Sequence, residues 1–179
     1  LQCQRRKKRL LTFAKKISDK FNVKCIVADS SADAIKNADI ITSVTTTKTP
    51  VFDGKLLKEG AHINGVGSYT PDMHEIDEYT VLNASKIYVD TREGVLSESG
   101  DFIIPINAKK CSEDIVTGEL GELLLGKTPG RESDKEITFF KTVGTAVLDI
   151  VTAVLYTSGK DGNFIFGFAV ISIYAIIFV

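Results

Sequence analysis

Ala61-His62-Ile63-Asn64-Gly65-Val66, running on into Gly67-Ser68-Tyr69-Thr70-Pro71-Asp72, is the stretch on which the fold turns. Its first six residues read as a strand, closed by Gly67. Glycines at 65 and 67 let the backbone of the exit loop approach a flat ligand closely. Thr70 before Pro71 is an N-cap followed by a first-turn proline, which predicts a helix with free N–H groups at its start. Strand, glycine-bearing loop and helix in succession make a turn suited to a nicotinamide ring or an anionic group. An ordinary tight βα turn has the same spacing, and both readings stay open at this point.

Working outward, the neighbouring segments repeat the pattern. Upstream, residues 39–44 (DIITSV) form a second apolar strand that ends in Thr45-Thr46-Thr47. Before it, Asp29-Ser30-Ser31 caps a short helix over 32–37, and residues 23–28 are β-branched and apolar enough for another strand. Residues 5–21 carry Leu10, Ala14, Ile17 and Phe21 at helical spacing among lysines, an amphipathic helix. Downstream, 86–90 (KIYVD) is a strand, 100–106 a loop and 112–125 a helix with Gly126 at its C-cap. Residues 138–156 have a long helical pattern, with Val143, Val147, Ile150, Val151 and Val154 on one side. Alternating strands and helices predict an α/β, Rossmann-like, mostly parallel sheet with flanking helices. Such sheets bind ligands beyond the carboxyl ends of their strands. The runs TSVTTT, NGVGSYTP and VDTREG all follow strands and fall on that one edge.

Composition excludes several classes. With 44% hydrophobic and 25% charged residues the chain is an ordinary globular one, and its net charge of −1 gives no field to draw nucleic acid. Cys3, Cys25 and Cys111 are odd in number and widely spaced, so neither a disulfide framework nor a zinc site is expected. Reduced thiols fit a cytoplasmic setting. No GxSxG, Walker loop or HExxH occurs, and neither His62 nor His74 has a partner at metal-ligand spacing. The block Arg5-Arg6-Lys7-Lys8-Arg9 lacks aromatic interleaving and reads as a solvated helix start rather than a nucleic-acid patch. After the second strand of a dinucleotide fold, arginine suits the 2′-phosphate of NADP whereas an acidic residue marks NAD. Gln4 and Arg5 stand at that place, which favours NADP(H) over NAD(H). No GxGxxG precedes the first helix, so the first βα unit of such a fold is missing from this reading.

Read in order, ADIITSVTTTKTPVFDGKLLKEGAHINGVGSYTPDMHEID, YVDTREGVLSESGD, GELGELLLGKTPGR and EITFFKTVGTAVLDIVTA together resemble the ornithine cyclodeaminase/mu-crystallin family. The resemblance covers residues 1–157, a partial NAD(P)-binding domain without the N-terminal half of a complete member. It implies hydride transfer between a nicotinamide and the amino or imino carbon of a small amino or imino acid, and a homodimer built by the other half. By position, Thr45, Thr46 and Thr47 would line the cofactor, Asn64, Val66 and Gly67 would approach its nicotinamide half, and Lys141, Thr142 and Gly144 would close over it. The family's substrate-gripping lysine and arginines would belong to the other half. Tyr69 stands where cyclodeaminases carry a catalytic aspartate, so an alanine dehydrogenase-like or ketimine reductase-like role fits better than ornithine cyclodeamination.

Residues 158–179 form an atypical hydrophobic tail, in which 164–179 holds only Ser172 and Tyr174 as polar residues. As a helix, residues 164–179 would span roughly 24 Å, short of the ~30 Å hydrocarbon core. A membrane anchor, a frame-shifted end and a buried core segment are the alternatives. Three functions follow: an NADP-preferring amino- or imino-acid oxidoreductase inactive as this portion alone, an inactive crystallin-like ligand-binding protein, or a membrane-tethered remnant.

Overall fold

A computed structural model describes residues 2–146, 150 and 176–177. Helix α1 (Gln2–Phe21) leads into an extended segment, then α2 (Ser31–Ile35) and strand β1 (Ile40–Ser43). Strand β2 (His62–Gly65), α3 (Glu78–Asn83), β3 (Lys86–Val89), α4 (Arg92–Glu98) and α5 (Gly100–Asn107) follow. The chain continues through β4 (Gly118–Glu119), α6 (Leu120–Leu124) and β5 (Thr138–Lys141), and ends the described part at β6 (Ile176–Ile177).

The sheet order is β4-β3-β5-β2-β1-β6, and every described pairing is parallel. The α/β, Rossmann-like expectation therefore holds. Strand alternation sends Ile41, Ile63, Phe139, Ile87 and Val89 into a core completed by Ile35, Ile76, Val81, Val95 and Phe102. Phe102 of α5 stacks on Phe139 of β5 at 5.7 Å between ring centroids. Ser30 caps α2 by accepting the Asp33 N–H, and Gly126, at φ +68°, ends α6 as the spacing predicted.

Several local expectations are corrected. Residues 23–28 are not a strand: no described strand lies beside them to take up their backbone groups, and Ile26 is 71% exposed. Residues 138–141, expected to open a long helix, are the central strand β5, paired with β2 on one side and β3 on the other. Residues 142–145 are a loop, and beyond them only Ala146 and Ile150 of that expected helix are described, both helical. No helix starts at Thr70-Pro71. A turn closes there (Met73 N–H to Thr70 O, 3.0 Å), and tertiary partners take the next backbone groups: His74 N–H donates to Thr47 O and Glu75 O accepts from Val51 N–H. The helix begins instead at Glu78, capped by Asp77. Residues 100–106 are helical rather than a loop, anchored by buried Phe102. Residues 112–125 are a 3-10 turn, β4 and α6 in succession, because Thr117 and Gly118 pair with β3. The hydrophobic tail, apart from Ile176–Ile177, lies outside the described residues.

Candidate functional site

The loops after β1 and β2 emerge side by side at the carboxyl edge of the sheet. Thr42 is in register with Asn64 and Ser43 with Gly65, and the Val66 N–H donates to Ser43 O at 2.9 Å. A Cβ on Gly67 would lie 1.9 Å from Thr45 O and 2.2 Å from Thr45 N, so only glycine lets the loops touch. The close approach expected of Gly67 is thus made to the neighbouring loop's backbone.

A carboxylate that sequence reasoning missed joins the two loops. Glu75 is fully buried. Its Oε2 accepts from Ser43 Oγ (2.7 Å), Thr45 N (2.8 Å) and Thr45 Oγ1 (3.0 Å), and its Oε1 accepts from Gly67 N at 2.6 Å. Charge-assisted bonds of this kind are about twice as strong as neutral ones. Behind Glu75, Asp101 Oδ1 accepts the backbone N–H groups of Glu75 (2.8 Å) and Ile76 (3.0 Å). Asp101 Oδ2 lies 3.7 Å from Lys141 Nζ, and both side chains are 0% exposed. The Lys141 ammonium also donates to Thr142 O (3.0 Å) and Gly65 O (3.3 Å). Burial pushes the Asp101 carboxyl above its usual range, against the pull of the Lys141 charge and the two backbone donors. Burial likewise lowers the Lys141 ammonium, opposed by Asp101, Glu75 and Asp90.

Asp90, at the carboxyl end of β3, organises the third loop. Its Oδ2 accepts from Thr142 Oγ1 (2.6 Å), Gly144 N (3.1 Å) and Val143 N (3.2 Å), and Gly144 has φ +92°. On the less buried sheet face, five side chains form a row. Arg131 Nη2 donates to Thr138 Oγ1 (2.9 Å), which lies 2.7 Å from His62 Nδ1. His62 Nε2 lies 3.1 Å from Asn64 Oδ1, and Asn64 Nδ2 donates to Thr42 Oγ1 at 3.3 Å. With the Asn64 amide so oriented, Nε2 carries the imidazole proton and Nδ1 accepts from Thr138. Burial lowers the His62 pKa from its ordinary 6.5, partly offset by the bond to Asn64.

The structure brings Thr45, Thr46, Thr47, Asn64, Val66 and Gly67 together on one stretch of the carboxyl edge, with Thr142 and Gly144 on the loop after β5, the strand next to β2. Thr46 is exposed and Val66 partly so. Thr47 is engaged within its own loop, through the Thr49 N–H and carbonyl. Tyr69 is 48% exposed on the second loop. Lys141 does not project over the crevice; its ammonium is buried beneath it. Arg5 lies early in α1, its side chain outside the described residues. Glu75, Asp90 and Asp101 had one faint signal, the position of Asp90 directly after a strand. Among the described residues no cluster of His, Cys, Asp or Glu is fit to hold a metal, and no helix is long and apolar enough to cross a membrane.

Comparison with known proteins agrees with this fold. The profile of the ornithine cyclodeaminase/mu-crystallin family matches residues 2–162. A Delta(1)-pyrroline-2-carboxylate reductase of Bacillus cereus is 42% identical over 149 residues, covering 83% of this chain and 46% of the relative. The ketimine reductase mu-crystallin of Mus musculus is 38% identical over 138 residues, covering 76% of this chain and 41% of the relative. The solved Delta(1)-pyrroline-2-carboxylate reductase of Thermococcus litoralis, in complex with NADH and L-proline, superimposes with a TM-score of 0.78 at 40% identity. It is covered to 46% by 83% of this chain, so the chain spans about half the length of the relatives it matches. With this parallel sheet and a family match along most of its length, the chain belongs to the ornithine cyclodeaminase/mu-crystallin family.

Proposed function

We propose that the chain supplies the nicotinamide-side part of an NAD(P)-dependent imino-acid reductase. The observation that carries this is the pair of loops locked side by side by Glu75 at the carboxyl edge of adjacent parallel strands, where sheets of this class take their ligands. The lining suits a nicotinamide: Val66 offers partly exposed apolar surface, flanked by threonine hydroxyls and the Asn64 amide. Bound there, the nicotinamide supplies the hydride for a C=N carbon. The chain's own residues position and desolvate. Glu75 fixes the gap between the loops, Asp90 holds the 142–145 loop, and the His62 row sets the Asn64 amide. Arg5 favours the 2′-phosphate of NADP, while the similar Thermococcus litoralis enzyme holds NADH, so the preference between cofactors rests on Arg5 alone.

The imine reductase reading is preferred to cyclodeamination because Tyr69 places a phenol, not a carboxylate, on the second loop. It also agrees with the activities for which two of the relatives are named. The test is titration of NADH and NADPH with the 179-residue chain, followed by nicotinamide fluorescence. Saturable binding, tighter for NADPH, is the expected result. Absence of any saturable signal for either cofactor would overturn the reading.

A further inference from the structure

The buried polar groups beneath the crevice form one connected path. It starts at Lys141 Nζ, which touches the ends of β2 and β5 through Gly65 O and Thr142 O. It passes to Asp101, the ion partner of Lys141, whose other oxygen grips the backbone of Glu75 and Ile76. It ends at the Glu75 carboxylate, which divides its two oxygens between two loops. One oxygen takes only Gly67 N–H; the other takes Thr45 N–H with the Ser43 and Thr45 hydroxyls. Donor and acceptor are more than two dozen residues apart in sequence on the β1 side and eight apart on the β2 side. No local turn chemistry brings these loops together.

We propose that Glu75 is a positioning residue: held from behind by the Asp101–Lys141 pair, its carboxylate sets the separation of the 45–47 and 64–67 loops and thereby the affinity of the crevice for the nicotinamide half. The proposal rests on the cofactor reading given above. Glu75 need not touch the ligand, because both its oxygens are occupied by protein donors. Loops left to themselves sample several spacings, and a site that must preorganise its lining loses affinity when they do. A carboxylate suits the task because it accepts on both oxygens. Glutamine accepts on one only and presents an NH2 with the other. The Ser43 and Thr45 hydroxyls can rotate to meet that NH2, but the backbone N–H groups of Thr45 and Gly67 cannot. Whichever way the amide sits, one of the two loops loses its backbone anchor. Shape is almost unchanged, so the loss is specific to the bridge.

The experiment compares the 179-residue chain with its Glu75→Gln variant and with Ile35→Ala, a core change at α2, which runs into the amino end of β1 and so lies away from the crevice. Each is titrated with NADH and examined by amide NMR at Thr45 and Gly67. Expected are an NADH dissociation constant about tenfold higher for Glu75→Gln, the equivalent of one charge-assisted hydrogen bond, and an upfield move of one of the two amides. Ile35→Ala, though less stable, should bind NADH as the parent does and leave both amides in place. Equal affinity of parent and Glu75→Gln, or an equal weakening in Ile35→Ala, overturns the proposal. Should the parent not bind NADH at all, the cofactor reading falls. The bridge is then decided by the amides alone, and fails if neither moves. Should Glu75→Gln not fold, Glu75→Asp, which keeps the charge but withdraws it by one methylene, carries the same expectations.

Discussion

Replacing Lys141 by methionine removes the ammonium that faces the buried carboxylates at the carboxyl edge. Lys141 and Asp101 are both fully buried, so solvent screens neither. The variant loses the ion pair and the bonds to Gly65 O and Thr142 O, and strands Asp101 close to Glu75 with no countercharge. Breaking a buried pair by removing one partner costs about 3–5 kcal/mol. The double variant Lys141→Met/Asp101→Asn should recover part of that loss, because Asn Oδ1 still accepts the Glu75 and Ile76 N–H groups while the stranded charge is gone. The deficit should also depend on pH. The Asp101 pKa is already raised in the fold, and removing the cation raises it further. The folded variant then holds a proton that the unfolded chain releases, so its stability is greatest below the unfolded carboxyl's pKa and is lost as pH rises from there through the raised folded pKa. Urea unfolding between pH 5 and 8 measures all three effects. A single variant destabilised by less than about 1 kcal/mol, with no recovery in the double variant and no pH dependence, would refute the reasoning.

Two further outcomes follow from the same edge and the open face. Asp90→Ala removes the acceptor for Thr142 Oγ1 and for the Val143 and Gly144 N–H groups. It should cost about 1–3 kcal/mol and raise hydrogen exchange at those two amides more than in β3; uniform exchange would contradict the loop-holding role. For His62, whose pKa is lowered in the fold, the unfolded ring takes its proton near 6.5 and the folded ring only at lower pH. Stability should therefore be full above pH 6.5 and decline as pH falls below it, and His62→Gln should remove that part of the slope in urea midpoints measured from pH 8 to 5.

Strands β1 and β3 were legible as short β-branched or aromatic runs, and β2 by the glycine-bearing loop that follows Ile63. Strand β5 was not, because its four residues run directly into Val143 and Val147 at helical spacing, and nothing local separates the two periods. Residues 23–28 have the composition of a strand but lack a neighbour, and a ladder needs two sides. The crevice loops could be picked out from their residues. Their bridge could not: Glu75 sits among Met73, His74 and Ile76 with no motif, and its meaning arises only when Ser43 and Thr45 arrive from far along the chain. Lys141 illustrates the converse. Its residue type suggests a group closing over the site, but side-chain direction depends on whether residue 141 belongs to a helix or a strand. In β5 its place in the alternation turns it inward.

Along Arg131, Thr138, His62, Asn64 and Thr42, each member passes its hydrogen to the next in the same sense. Such a row behaves like a line of dominoes standing one way: no single amide or ring can turn over without its neighbours turning too. The Asn64 carboxamide is therefore not a swivelling group. A molecule arriving over β2 finds its polarity already chosen by a guanidinium three hydrogen bonds away, and must match that orientation or go unbound.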